Sequence, residues 1–152
     1  MTYGVTIMPS KLFSFLKFEQ QLLSELVRLA ERQQKALIAF DATELDEIAS
    51  YQEELAKSLR NAEEQRINFI MAWLQISRTE AANLRLSSLE KKFNQEEMVE
   101  IKKLRASLRA MISKLQNFNT ANRVLANRAK NSIKDMMTAF TRGNKHVCNV
   151  RV

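Results

Sequence analysis

Residues that bend or cross-link a chain are scarce in this sequence of 152 residues, which has two Gly, one Pro and one Cys. Tight turns and phosphate-cradling loops need Gly, because Gly adopts positive φ angles at little steric cost. The single Cys148 excludes an internal disulfide and fits a reducing compartment. Hydrophobic residues make up 45% of the chain, which is typical of a folded protein. Long uninterrupted helices are therefore the simplest prediction.

Groups suited to catalysis or metal binding are equally few. The only His, His146, stands two positions before the only Cys, Cys148, and two ligands do not complete a zinc site. The Glu residues that occur in adjacent pairs point apart on a helix, and the sequence has no Gly-rich phosphate loop. The sequence therefore favours a binding protein without cofactor, metal or catalytic residues over an enzyme.

Export and membrane signals are also missing. The first ten residues have neither a basic region nor an apolar core of the kind found in secretory signals. No stretch of about 18 apolar residues occurs, so we expect no membrane insertion. We expect a cytoplasmic protein whose residues 1–152 form one helical domain.

The sequence does have an unbroken heptad pattern between about residues 95 and 140. Apolar or small residues recur there at alternating steps of three and four. These seam positions are Ile101, Leu104, Leu108, Met111, Leu115, Phe118, Asn122, Leu125 and Ala129. The pattern predicts one helix of about 65–70 Å, which needs other helices to cover its stripe.

Two shorter helices and a connector precede this long helix. Helix 1 is predicted over about 10–39, starting near Pro9 or Ser10 after a loose N-terminus. Asp41, with Glu44 three residues later, predicts the N-cap of helix 2 over about 42–74. A short helix over about 86–93 is expected in the connector, and Gly143 predicts a helix stop before a flexible tail over 141–152. The predicted fold is all-α: an antiparallel three-helix coiled-coil-like bundle with a long C-terminal helix.

The unequal helix lengths predict an overhang. Helices 1 and 2 would each be about 45–50 Å long, so the C-terminal end of the long helix, roughly 128–140, has no partner within the bundle. Exposed apolar residues of this kind mark an interaction surface. The candidate partner-binding residues, including those leading into the overhang and into the tail, are Leu125, Ala129, Ile133, Met136, Met137, Phe140, Val147 and Val150. A homodimer contact, as in a helical structural adaptor, or a longer helix 1 would also cover them.

Charge is unevenly distributed along the chain. Residues 10–76 contain 8 basic and 11 acidic residues, whereas residues 77–152 contain 16 basic and 6 acidic residues. One basic stripe consists of Lys102, Arg109, Arg123 and Lys130. It leaves nucleic-acid binding as a further alternative, but no aromatic residues interleave with it for base stacking, so a solvated face is favoured.

Three segments of the chain carry a recognisable set of motifs. The end of helix 1 reads Leu29-Ala30-Glu31 and then Lys35-Ala36-Leu37, and helix 2 leads to Glu63-Glu64-Gln65-Arg66. The long helix contains Asn119-Thr120-Ala121-Asn122 followed by Leu125. In this order, the three segments resemble the FlgN-like export chaperones of the flagellar type III secretion system, whose last long helix carries Asn-x-x-Asn-x-x-Leu. The residues carrying these motifs are Glu31, Arg66, Asn119 and Asn122, and the two Asn are interpreted as register-setting residues in the core.

The resemblance implies a soluble chaperone that holds the C-terminal helical segments of hook-associated proteins and keeps them unassembled before export. It also implies contact with the flagellar export gate or with export ATPase components. The family's binding region is the C-terminal part of its last long helix, which coincides with the predicted overhang. The chain departs from the family pattern at Gln52, where members often have Lys, and at 140–143, where members often have a Tyr-Gly element.

Overall fold

Two long helices are joined by a turn of two residues at one end of the molecule. The structure, a computed structural model, describes the backbone of residues 2–151 and the side chains of residues 9–142. Its elements are α1 (Thr2–Ala39), α2 (Ala42–Leu74), α3 (Arg78–Ala82), a 3₁₀ helix (Leu86–Lys92) and α4 (Gln95–Arg151). No strand occurs among the described residues, so the all-α prediction is confirmed.

The α1–α2 turn is closed by backbone hydrogen bonds and by a cap. The Asp41 N–H donates to the Ala36 carbonyl at 2.9 Å, and the Phe40 N–H donates to the Leu37 carbonyl at 3.3 Å. This is a Schellman motif with Phe40 at the position of positive φ (54°). The Asp41 carboxylate accepts from the Glu44 N–H at 3.0 Å, as predicted. The Glu44 carboxylate does not complete a capping box, because it accepts from Arg32 Nε at 3.1 Å.

Helix α1 lies between the other two long helices. It runs antiparallel to α2, since Arg66 near the end of α2 pairs with Glu19 and Gln52 bonds to Gln33. It runs parallel to α4, since Gln20 donates to Ser107 and Asn122 donates to the Ala30 carbonyl. Both α2 and α4 pack extensively on α1, whereas the described parts of α2 and α4 hardly touch each other.

The predicted bundle is thus only partly right, because α4 was expected to run back along α2. The reason lies in α1, which buries adjacent residues that point to two different sides. Leu22 and Leu23 are both buried, and so are Leu29 and Ala30. A helix with two apolar sides can bind one neighbour on each side, and this leaves a gap between those neighbours.

The thickest core lies where α1 begins and α2 ends, and the start of α1 is rich in Phe. Phe13 packs on Phe93 with ring centroids 5.6 Å apart, and Phe15 packs on Phe69 at 5.4 Å. Leu89 of the 3₁₀ helix is buried in the same cluster. The connector therefore closes this end of the molecule and leads the chain into α4.

Several predicted boundaries are wrong. Helix α1 begins at Thr2 and includes Pro9, whose buried ring offsets its missing N–H donor. The connector holds α3 as well as the 3₁₀ helix, and the Ser77 hydroxyl caps α3 by accepting from the Glu80 N–H at 3.1 Å. Helix α4 continues to Arg151 in place of the predicted flexible tail, because Gly143 permits a helix stop without requiring one.

The start of α4 follows the sequence prediction. The Asn94 side chain accepts from the Glu97 N–H at 2.8 Å, and the Glu97 side chain accepts from the Asn94 N–H at 2.9 Å. This reciprocal pair is a complete capping box. Within the described residues, no helix is both long enough and apolar enough to cross a membrane.

Candidate partner-binding surface

The C-terminal part of α4 projects beyond the α1–α2 turn. Asn122 lies beside Ala30 and Gln33, and parallel helices rise by the same 1.5 Å per residue, so Ala39 is level with about residue 130 of α4. Every described side chain from residue 130 to residue 142 is exposed. We call residues 130–142 the overhang, and its predicted exposure is confirmed.

The overhang exposes large apolar side chains. Met136 is 70% exposed and Phe140 is 71% exposed, with Ile133 at 50% and Met137 at 67%. They continue the stripe of α4 that faces α1 before the overhang, where Leu125 and Ala129 are half-buried. The side chains of Val147 and Val150, also predicted for this surface, lie outside the described residues, as do those of His146 and Cys148. The overhang is therefore the part of the α4 seam that extends past the end of α1.

The α1–α2 turn adds exposed apolar residues at the same end of the molecule. Ile38 is 65% exposed and Phe40 is 62% exposed. Phe40 has a positive φ, which is unfavourable for a bulky residue, and this position of a Schellman motif is usually occupied by Gly. This pair was not predicted from the sequence, although a Phe directly before the Asp41 cap was a visible signal.

A trough separates α2 from α4, with α1 as its floor. It consists of two adjoining cavities of about 510 and 480 Å³ that share Leu115 and Asn119. The apolar residues of the larger cavity include Leu16, Leu23, Leu59, Ile70, Leu84, Leu86, Leu108, Ile112 and Leu115. The trough could not be predicted once α4 was assumed to pack on α2.

A polar layer crosses all three long helices beneath the upper part of the trough. The Gln33 side-chain carbonyl accepts from Gln52 Nε2 at 3.2 Å and from Asn122 Nδ2 at 3.1 Å. Asn122 is 4% exposed, in agreement with the predicted core role, and its Oδ1 has no hydrogen-bond partner among the described residues. Asn119 is exposed at the trough, so a core role is wrong for it, and Glu31 is exposed on α1.

A buried ion pair lies on the floor of the larger cavity. Arg66 Nε donates to Glu19 Oε2 at 2.8 Å, and Glu19 is 7% exposed. Burial raises the pKa of the Glu19 carboxyl, and this effect outweighs the opposing attraction of Arg66. Arg66 was singled out in the sequence as a family-motif residue, but Glu19 was not identified as its partner.

The basic stripe is exposed along its whole length. Lys102, Arg109, Arg123 and Lys130 are all exposed, and Arg109 and Arg123 border the trough. Among the described residues, no cluster of His, Cys, Asp and Glu is arranged to hold a metal ion. The described surface thus offers apolar and basic contacts suited to binding another chain.

Comparison with known proteins assigns the family. The chain matches the family described as FlgN protein over residues 8–150, which is nearly its whole length. No curated protein and no solved structure matches it. The match includes all of the surfaces described above, and the chain belongs to the FlgN family, the family of flagellar export chaperones.

Proposed function

We propose that this protein is a cytoplasmic export chaperone that binds the C-terminal helical segments of hook-associated proteins on its overhang. The observation that carries the proposal is the exposed continuation of the α4 seam at Ile133, Met136, Met137 and Phe140. Before about residue 130, which is level with Ala39 at the end of α1, the same stripe of α4 faces α1. After that residue, a helix of the cargo would cover the stripe in a similar way.

The chemistry of the overhang fits an amphipathic helix. Met side chains are flexible and polarizable, so they adapt to different apolar partners. Burying such a side chain contributes roughly 1.5–3 kcal/mol. After Ile101 the only acidic residue of the chain is Asp135, so acidic residues beside the apolar stripe of the cargo would find cations nearby. Covering the cargo helix would keep the cargo soluble and unassembled until export.

The proposal is tested by co-purification with hook-associated proteins from flagellated cells of the source organism. The variant Met136→Asp with Phe140→Asp should lose these proteins. The matched control, Val99→Asp with Val124→Asp, also places two carboxylates at exposed apolar sites of α4 and should retain them. Equal recovery by both variants, with the helix content intact, would contradict the proposal.

A helical adaptor that dimerises through the overhang is the second candidate, because the same apolar residues could cover one another in two copies. Sedimentation or light scattering of the pure protein decides between the two candidates. A tight dimer that Met136→Asp converts to a monomer, together with no recovery of hook-associated proteins, would establish the adaptor.

A further inference from the structure

We propose that the trough between α2 and α4 is a second docking site, which takes an amphipathic helix with acidic residues on one flank and basic residues on the other. The occupant is a helix of the exported cargo, so this inference rests on the proposed chaperone function. The site is distinct from the overhang, because it lies beside the α1-covered part of α4 and has walls on two helices.

The dimensions of the trough fit a helix. Its two cavities border α4 from Arg105 to Ala126 and α2 from Gln52 to Ile70. At 1.5 Å per residue these walls are about 27–32 Å long, which is the length of a helix of about 20 residues. A helix laid there would touch α2 and α4, which hardly touch each other, and would complete a four-helix bundle.

The floor and both walls supply apolar contacts, with Leu59 and Ile70 on the α2 wall. Leu16 and Leu23 come from α1, while Leu108 and Ile112 come from α4. Ile112 is 43% exposed, whereas the seam residues Leu108, Met111 and Leu115 beside it are half-buried. An apolar stripe on the occupant would meet these side chains along the larger cavity.

The charges on the two walls differ in sign. On the α4 wall, Arg105 and Arg109 form no ion pair with any described residue. On the α2 wall, Arg66 is committed to Glu19, and Glu63 is exposed and likewise has no ion pair within the described part of the chain. Carboxylates on one flank of the occupant would face Arg105 and Arg109, and cations on its other flank would face Glu63.

An unpaired acceptor marks the other end of the trough. Asn122 lines the smaller cavity, and its buried Oδ1 lacks a donor while its Nδ2 serves Ala30 and Gln33. A buried acceptor without a donor is costly, and because Oδ1 has almost no accessible surface, a donor on the occupant would reach it only after the Asn122 amide turns toward the cavity. A second copy of this chain suits the trough less well, because its overhang carries Lys130, Lys134 and Arg142 and would oppose Arg105 and Arg109.

The probe for this site is a labelled synthetic peptide of about 20 residues, with a Leu stripe, Glu on one flank and Lys on the other. Its binding to the full chain is followed by fluorescence anisotropy. Arg105→Glu with Arg109→Glu should weaken binding by about tenfold, because two attractions become repulsions. The control Lys103→Glu with Lys114→Glu makes the same charge change on the opposite face of α4 and should alter binding less than about twofold.

Two further comparisons distinguish peptide binding in the trough from nonspecific binding to the protein surface. Ile112→Asp should weaken binding of the peptide, whereas Val124→Asp, on another face of α4, should leave binding unchanged. A second peptide with Lys on both flanks should bind the wild type more weakly and should prefer the Arg105→Glu, Arg109→Glu variant. Because a helix can lie in either direction, exchanging the two flanks of the first peptide is not a useful control.

The outcomes distinguish this inference from the proposed function. The proposed docking site in the trough is overturned if the peptide does not bind the wild type, or if the control substitutions weaken peptide binding equally. Weakening by Met136→Asp with Phe140→Asp but not by Ile112→Asp would also overturn it and would leave the overhang as the cargo site. Trough-dependent peptide binding combined with cargo recovery that ignores the overhang would uphold the trough and overturn the proposed overhang site.

Discussion

Asn122 of α4 and Gln33 of α1 are joined by a hydrogen bond of 3.1 Å, in which the Asn122 side-chain amide donates to the side-chain oxygen of Gln33, Oε1. The same oxygen also accepts from Gln52 of α2. One acceptor on α1 therefore links both neighbouring helices at a single level. Each of the three helices contributes one amide side chain to this layer.

Removing the Asn122 amide should destabilise the fold. Asn122→Ala removes two hydrogen bonds from a largely buried layer, the one to the Ala30 carbonyl and the one to Gln33, so we expect a loss of about 1–3 kcal/mol in the free energy of unfolding. Urea denaturation measures it. Asn127→Ala, at an exposed position of the same helix, is the control and should change stability by less than about 0.5 kcal/mol. Equal effects of the two substitutions would show that the layer is not stabilising.

The Glu19 carboxyl should make the effect of Glu19→Gln depend on pH. Its pKa is raised in the folded protein by burial, so its contribution to stability is fully present below the unfolded pKa and is lost as pH rises through the folded pKa. Gln does not ionise and keeps an acceptor for Arg66. The Glu19→Gln variant should therefore gain stability relative to wild type as the pH rises above the ordinary Glu pKa of about 4.3.

The check is urea denaturation of both proteins at each pH. Glu25→Gln, at an exposed position of α1, serves as the control for a general charge effect. A stability difference between wild type and Glu19→Gln that stays constant, or that moves the other way as pH rises, would contradict the raised pKa.

Phe40→Gly should stabilise the protein. The backbone at Phe40 has a φ of 54°, where a side chain is unfavourable, and the Phe40 ring is mostly exposed. We expect a gain of about 1 kcal/mol. Lys35→Gly, at an exposed position inside α1, should instead cost roughly 0.5–1 kcal/mol. Thermal unfolding of the two variants tests this opposite response to the same new residue.

Cutting the chain after Lys130 should leave the stability of the rest unchanged. The described side chains of 131–142 are all exposed, so their removal takes away no buried contact. The free energy of unfolding should change by less than about 0.5 kcal/mol. If the proposed function is right, the shortened protein should nevertheless fail to recover hook-associated proteins. A large loss of stability would reveal contacts made by the removed segment.

The sequence predicted what depends on local pattern and on length. The Asp41 cap is recognisable because a cap residue acts within three positions, and the overhang followed from the lengths of the predicted helices. The arrangement of α2 and α4 depends on which sides of α1 bury their residues. Adjacent buried pairs such as Leu22 and Leu23 indicate two faces, but periodicity does not say which helix covers each face. The trough and the Glu19–Arg66 pair follow from that arrangement, so neither was predicted.

The shared acceptor at Gln33 also limits how far the long helix can slide. Moving α4 by one heptad along α1 would shift it by about 10 Å and would place an apolar residue, Leu115 or Ala129, opposite Gln33. The buried amides would then lose their partners. The layer thereby determines how many turns of α4 stand clear of the hairpin, and so it sets the length of apolar surface that the overhang exposes.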